Sequence, residues 1–180
     1  MPEARLEQID GGLAPATEGW FVVNVRDAAW YVHRGAFGWA CRFESREAPF
    51  EQLGINIRVL EPGRPNCLYH RESLQEAFLV LAGEGLLLVE EQERPLKPWD
   101  FVHLPPGVEH VVVGAGSGAL VILMAGARSD DEELHYPVSE LAQRYGASAD
   151  AATDSPEEAY ARFGPREPGR PEPHHSLPWD

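Results

Sequence analysis

His70, Glu72 and Glu76, in "YHRESLQEAF" (69–78), and His110, in "PPGVEH" (105–110), are residue types that hold a divalent metal ion. The first three fall on even numbers, and residues two apart in an extended chain project to the same side. Phe78 and Val80 continue that parity, so a face that should build a core also carries an imidazole and two carboxylates. Isolated charges there would cost on the order of several kcal/mol each, even after relaxation. A divalent cation offsets that cost and keeps the carboxylates ionised. If both segments belong to one small barrel, two imidazoles and two carboxylates converge on a point inside it. Mixed nitrogen and oxygen donors suit Fe, Mn, Ni or Zn, and two histidines with a carboxylate form the facial set of non-haem iron sites.

The elements that must position these residues are short strands. Residues 20–33, "WFVVNVRDAAWYVH", and 37–44, "FGWACRFE", are rich in aromatic and β-branched residues. Residues 53–63 alternate Ile55, Ile57 and Val59 with Asn56 and Arg58, then stop at Pro62-Gly63. The segment around His70 and the strand 85–94 read as a hairpin through Gly83-Glu84-Gly85, with Phe78, Val80, Leu86 and Leu88 on the side of the acids. Residues 95–113 give two short strands around Pro105-Pro106-Gly107, and 119–127 closes the series. This pattern predicts an all-β sandwich or barrel over residues 20–128, preceded by an irregular lead-in at 1–19. A helical extension is expected over 129–164. Val138, Leu141 and Tyr145 have helical spacing before Gly146, and Ser155-Pro156 opens a segment that Gly164 ends. Residues 165–180 read as an extended Pro-rich tail.

In these two segments the chain resembles the cupin superfamily. The first cupin motif runs G-x5-H-x-H-x3/4-E-x6-G, and Gly63, His70, Glu72, Glu76 and Gly83 fall on it. The second runs G-x5-P-x-G-x2-H-x3-N, matched by Pro105, Gly107 and His110. The departures are specific. Glu72 stands where the second His is usual, Trp99 where the second motif begins with Gly, and Gly114 where it ends with Asn. Six residues rather than five separate Gly63 from His70. The resemblance covers residues 53–125. It implies a jelly-roll β-barrel, a homodimer, and a divalent metal (Fe, Mn, Ni or Zn) held by His70, Glu72, Glu76 and His110; the residue pattern adds short C-terminal helices to the barrel. His103 is expected on a strand near the barrel mouth in a hydrogen-bonded structural role. Trp20, Trp30 and Trp39 are expected to pack, at a subunit contact if the chain pairs.

The rest of the sequence narrows the function by exclusion. With 29 acids against 15 Lys and Arg, the formal net charge is -14, which disfavours nucleic acid and anionic membranes as partners. Two cysteines, Cys41 and Cys67, without a CxxC, argue against a disulfide framework or a cysteine-rich zinc site and point to a reduced, cytoplasmic setting. The N-terminus lacks the pattern of a secretory signal. Glycines divide the uncharged run 111–127 into two strands and a turn, so it is not expected to span a membrane. "GAGSGA" (114–119) matches a dinucleotide pattern on paper but lies between strands, which suits a hairpin turn. No serine carries a nucleophile signature, and His174 and His175 reflect tail composition. The motif segments hold no cluster of Arg or Lys, which points to an uncharged or weakly anionic apolar small-molecule ligand. Two functions fit: a metal-dependent small-molecule enzyme (dioxygenase-, isomerase- or decarboxylase-like), or a non-catalytic ligand-binding barrel with a structural metal.

Overall fold

The computed structural model describes residues 1–172 and 176–179; His174 and His175 lie outside them. The chain opens on a hairpin, β1 (Leu6–Ile9) and β2 (Gly12–Pro15), where the sequence reading expected irregular structure. Its two-residue turn is Asp10-Gly11, with Gly11 at φ +94°, a conformation that glycine adopts without steric cost. β3 is confined to Ala29–Val32 because Asn24 makes a turn before it. Its side chain accepts from the Arg26 N–H and its carbonyl from Asp27 and Ala28.

The remaining strands are β4 (Trp39–Arg42), β5 (Leu53–Leu60), β6 (Arg71–Glu72), β7 (Glu76–Ala82), β8 (Glu84–Val89), β9 (Gln92–Leu96), β10 (Phe101–Leu104), β11 (His110–Ala115), β12 (Leu120–Ala127) and β13 (Leu134–His135). Two four-residue helices follow, α1 (Glu140–Gln143) and α2 (Pro156–Ala159). Both are shorter than the sequence suggested, though Ser139 and Ser155 cap them and Gly146 turns at φ +67°. Within the Pro-rich tail, β14 (Glu167–Pro168) pairs with β3, and the Trp179 ring packs tilted against Trp30 at 5.6 Å.

A seven-stranded sheet, in the order β10-β7-β12-β5-β4-β3-β14, faces a three-stranded sheet, β11-β8-β9, and every ladder is antiparallel. This is the jelly-roll arrangement. Phe78, Val80, Leu87, Val112, Leu120, Ile122 and Met124 fill the space between the sheets. The β5 register puts Asn56 and Arg58 on the same side as Leu60, facing inward. Ile57 and Val59 go to the other face, which Trp30, Cys41, Val121 and Leu177 cover. Among the described residues no helix is long and apolar enough to cross a membrane.

Two turn assignments from the sequence are corrected. Gly83 does not close a hairpin. β7 pairs with β10 and β12 while β8 pairs with β9 and β11, so the chain crosses between sheets there. Gly83 has φ +75°, and a Cβ on it would lie 2.1 Å from the Ala119 carbonyl oxygen. The crossing shifts the parity. Leu87 enters the inter-sheet core, and Leu86 and Leu88 instead pack outside it near Tyr69 and Val111. Residues 114–119 likewise link the two sheets rather than forming a hairpin, with no helix after them. The true β8–β9 turn is Glu90-Glu91, both at positive φ, and the Glu91 N–H donates to the Tyr69 hydroxyl.

Two motif departures acquire physical meaning. A Cβ at Gly114 would meet the Glu61 carbonyl oxygen at 2.3 Å, so asparagine has no room there. Trp99 sits at φ +75°, the left-handed region that glycine occupies freely, and the residue is 74% exposed. Trp99→Gly should therefore raise stability by up to about 1 kcal/mol, since little packing is lost and left-handed strain of about 1–2 kcal/mol is relieved. Gly83→Ala should lower stability by at least about 2 kcal/mol, through strain plus a backbone clash. Urea unfolding of both variants beside the wild type checks the two signs.

Candidate metal centre

The centre is built on the main chain first. The His70 N–H donates to the His110 carbonyl at 3.1 Å and the His110 N–H returns the bond to His70 at 2.8 Å. The two rings thereby stand with centroids 4.9 Å apart. The Pro105-Pro106-Gly107 turn reaches across to the first segment, with the Gly107 N–H donating to the Glu72 carbonyl at 2.7 Å. On the other side Asn66, buried and overlooked in the sequence, bonds Val112 twice. Its N–H donates to the Val112 carbonyl and its side-chain oxygen accepts from the Val112 N–H, both at 2.9 Å.

Each imidazole is held by its Nδ1. His70 Nδ1 lies 2.9 Å from the Leu68 carbonyl and His110 Nδ1 3.0 Å from that of Val108. A carbonyl only accepts, so Nδ1 carries a proton on each ring and Nε2 is turned toward the carboxylates, the orientation of metal-ligating histidines. One donor atom each from His70, Glu76 and His110 lies within 4.8 Å of the others. His110 Nε2 and Glu76 Oε2 are 2.9 Å apart and buried, yet neither makes a hydrogen bond. Buried polar atoms are normally satisfied, so two that approach without bonding mark a position for a third group. Glu72 is outside this trio; its Oε1 sits 3.2 Å from His70 Nε2. His103 lies on β10, as expected, and outside the ligand group; its side chain is exposed, and among the described residues no hydrogen bond to it is found.

Charge around the centre is negative. Burial works against a proton on His70, but Cys67 and the Glu72 and Glu76 carboxylates outweigh it and hold the imidazole well above its ordinary range. Burial also works against ionised Glu72, and the bond to His70 outweighs it, lowering that carboxyl. Glu132 is pushed up, by burial first and then by Glu72 beside it. A divalent cation bound here would displace the proton from His70 and answer the same carboxylate charge. The donor set, imidazole nitrogen with carboxylate oxygen, suits Fe, Mn, Ni or Zn.

A cavity of about 380 Å³ opens from His70, Glu72 and Glu76. Its far wall carries Asn56, Arg58, Arg128 and Arg166, and Tyr136 and Tyr160 close one side. Glu132, Tyr136 and Arg166 come from segments the motifs do not reach, so local spacing gave no sign of them.

Residues 56–126 match the family model described as a cupin domain. Among solved structures, a sugar phosphate isomerase from a cupin superfamily of Silicibacter pomeroyi is 22% identical, covering 67% of this chain and 82% of its own, with a TM-score of 0.56. The polyketide cyclase RemF of Streptomyces resistomycificus is 13% identical over 61% of this chain and 80% of its own, with a TM-score of 0.53. A protein assigned provisionally as a sugar phosphate isomerase, from Acidithiobacillus ferrooxidans, is 34% identical over 47% of this chain, at a TM-score of 0.45. That match spans 55% of the relative's length. No curated protein matches. The likeness to the Silicibacter and Streptomyces structures carries the fold alone.

The cavity has an internal reporter. Cys67 lines it, with Sγ 3.7 Å from His70 Nδ1, whereas Cys41 is fully buried and burial pushes its thiol up to about 12. Native protein at about pH 8 should release one equivalent of thionitrobenzoate from Ellman's reagent, and the denatured chain two. Cys67→Ser should abolish the native signal.

Proposed function

We propose that this cupin-superfamily protein, whose residues 56–126 form the cupin domain, is a divalent-metal-dependent enzyme acting on a small molecule. The observation that carries the reading is the convergence of His70, Glu76 and His110, with Glu76 Oε2 and His110 Nε2 buried without hydrogen bonds beside a cavity that His70 and Glu76 line. His70 and His110 would hold the ion through Nε2 and Glu76 through a carboxylate oxygen. A bound ion of this kind supplies Lewis-acid polarisation of a substrate oxygen, or dioxygen chemistry if it is iron. The protein's own part is to fix the imidazole tautomers through Leu68 and Val108, to keep the donors dry, and to seat the substrate against Asn56, Arg58 and Tyr136. Oxygenation, isomerisation and decarboxylation all suit this arrangement.

One observation favours a second reading, a ligand-binding barrel with a structural metal. Glu72 Oε1 lies 3.2 Å from His70 Nε2 and could serve as a fourth ligand. Four protein ligands with no open position mark a structural site, and three with an open position mark a catalytic one. The purified chain is expected to carry about one divalent ion per molecule by elemental analysis. Glu76→Ala should remove it, while Glu72→Gln and His103→Ala should leave it in place. Metal lost on Glu72→Gln would favour the structural reading, and no metal retained or taken up by the wild type would sink both.

A further inference from the structure

The end of the cavity away from the histidines is strongly cationic in a chain of formal net charge -14. A second cavity of about 270 Å³ shares Asn56, Arg58, Arg128 and Arg166 with the first and adds Arg42. The sheet register explains how they meet. Asn56 pairs with Arg42 and Arg58 with Ala40 across β5 and β4, so both arginines project from the inner face. Tyr31 pairs with Ala40 on the same face, and Arg42 lies over its ring at 5.3 Å. Pro168 of β14 pairs with Tyr31, and Arg166, two residues before it, shares that parity.

These charges are not spent on one another's neighbours. Arg128 is held by Glu44 and by the Phe50 carbonyl, and Glu44 is the only acid lining the second cavity. Among the described residues, Arg42, Arg58 and Arg166 form no ion pair with a carboxylate. Arg58 donates through Nε to Asn56 at 3.0 Å, which leaves its two terminal amino groups to meet a ligand. Its guanidinium is lowered to about 10, by burial first and by Arg166 next, so it stays charged near neutrality. Arginines gathered at a cavity wall with no carboxylate paired to them raise the local concentration of anions, and guanidinium forks match oxyanion geometry.

We infer that Arg58, Arg166 and Arg42 form an anion-binding subsite that seats the carboxylate or phosphate group of the substrate at the opposite end of the cavity from His70 and Glu76. This rests on the metal-dependent reading for the word substrate, but the anion site itself does not. The ligand is then a small molecule with an oxyanion at one end and an oxygen function at the other, more strongly charged than the motif segments alone suggested.

The test is isothermal titration of the full chain, as purified, with inorganic phosphate and separately with malonate, against chloride at matched ionic strength. At least one anion should bind saturably, and the tighter of the two identifies the group. Arg166→Gln, a change at an exposed side chain that should not disturb folding, should weaken binding by about tenfold or more with metal content unchanged. Arg58→Gln should do the same. His110→Ala should lose the metal and keep the anion. Failure of the wild type to bind either anion above chloride, or wild-type affinity in Arg166→Gln and Arg58→Gln, would overturn the subsite. So would anion binding that disappears in His110→Ala and survives in Arg166→Gln, because the anion would then sit on the metal. A wild type that binds anions but never metal would leave the subsite standing and remove the metal-dependent reading.

Discussion

The reciprocal backbone bond between His70 and His110 is the join on which the centre depends. It needs nothing from either side chain. Two segments 40 positions apart in sequence are fixed face to face by main-chain groups, bracketed by Gly107 on Glu72 and by Asn66 on Val112. The imidazoles are therefore placed by the backbone and oriented by carbonyls through Nδ1, which turns Nε2 toward Glu72 on His70 and toward Glu76 on His110. A centre whose geometry came from side-chain packing would shift with every core substitution. This one moves only if the strands move.

The inner face of the large sheet is graded in charge. Glu76 stands on β7, and Gly126, its neighbour on β12, presents no side chain. Asn56 and Arg58 follow on β5 and Arg42 on β4. Substituting any bulky residue for Gly126 would fill the space between the acid and guanidinium ends, since even a Cβ there would already touch Glu76 at 3.4 Å. An acid end, a gap and a basic end on one face orient a polar molecule by charge before any single hydrogen bond selects it.

Much of this was legible in the sequence where structure is local. The parity of Glu76, Phe78 and Val80 held because one unbroken strand carries all three. The Pro105-Pro106-Gly107 turn, the cap at Ser155 and the stop at Gly146 are legible from residue types that determine backbone locally, whereas the cap at Ser139 is seen only in the structure. Parity failed beyond Gly83, where the chain changes sheets and inner becomes outer. The β5 alternation was visible but its meaning was not, because what covers Ile57 and Val59 includes Leu177, more than a hundred residues away. The same distance hid Arg166. Asp10-Gly11, by contrast, is a hairpin signal that could have been found; a mostly exposed β1 and a short β2 that contains Gly12 and Pro15 masked it. His103 faces outward with Phe101 because both are odd-numbered on β10, whose even residues Val102 and Leu104 fill the core.

β14 has a consequence at the margin of the sheet. An unprotected outer strand offers a ladder of free amides and carbonyls on which another polypeptide can grow. Here that margin is taken by two residues. One is Pro168, which has no amide hydrogen to offer a newcomer, and the other is Glu167, which carries a charge paired to Arg34. The short strand that closes this flank thus also terminates it, and lateral recruitment of further chains at that side of the barrel is blocked by chemistry rather than by bulk.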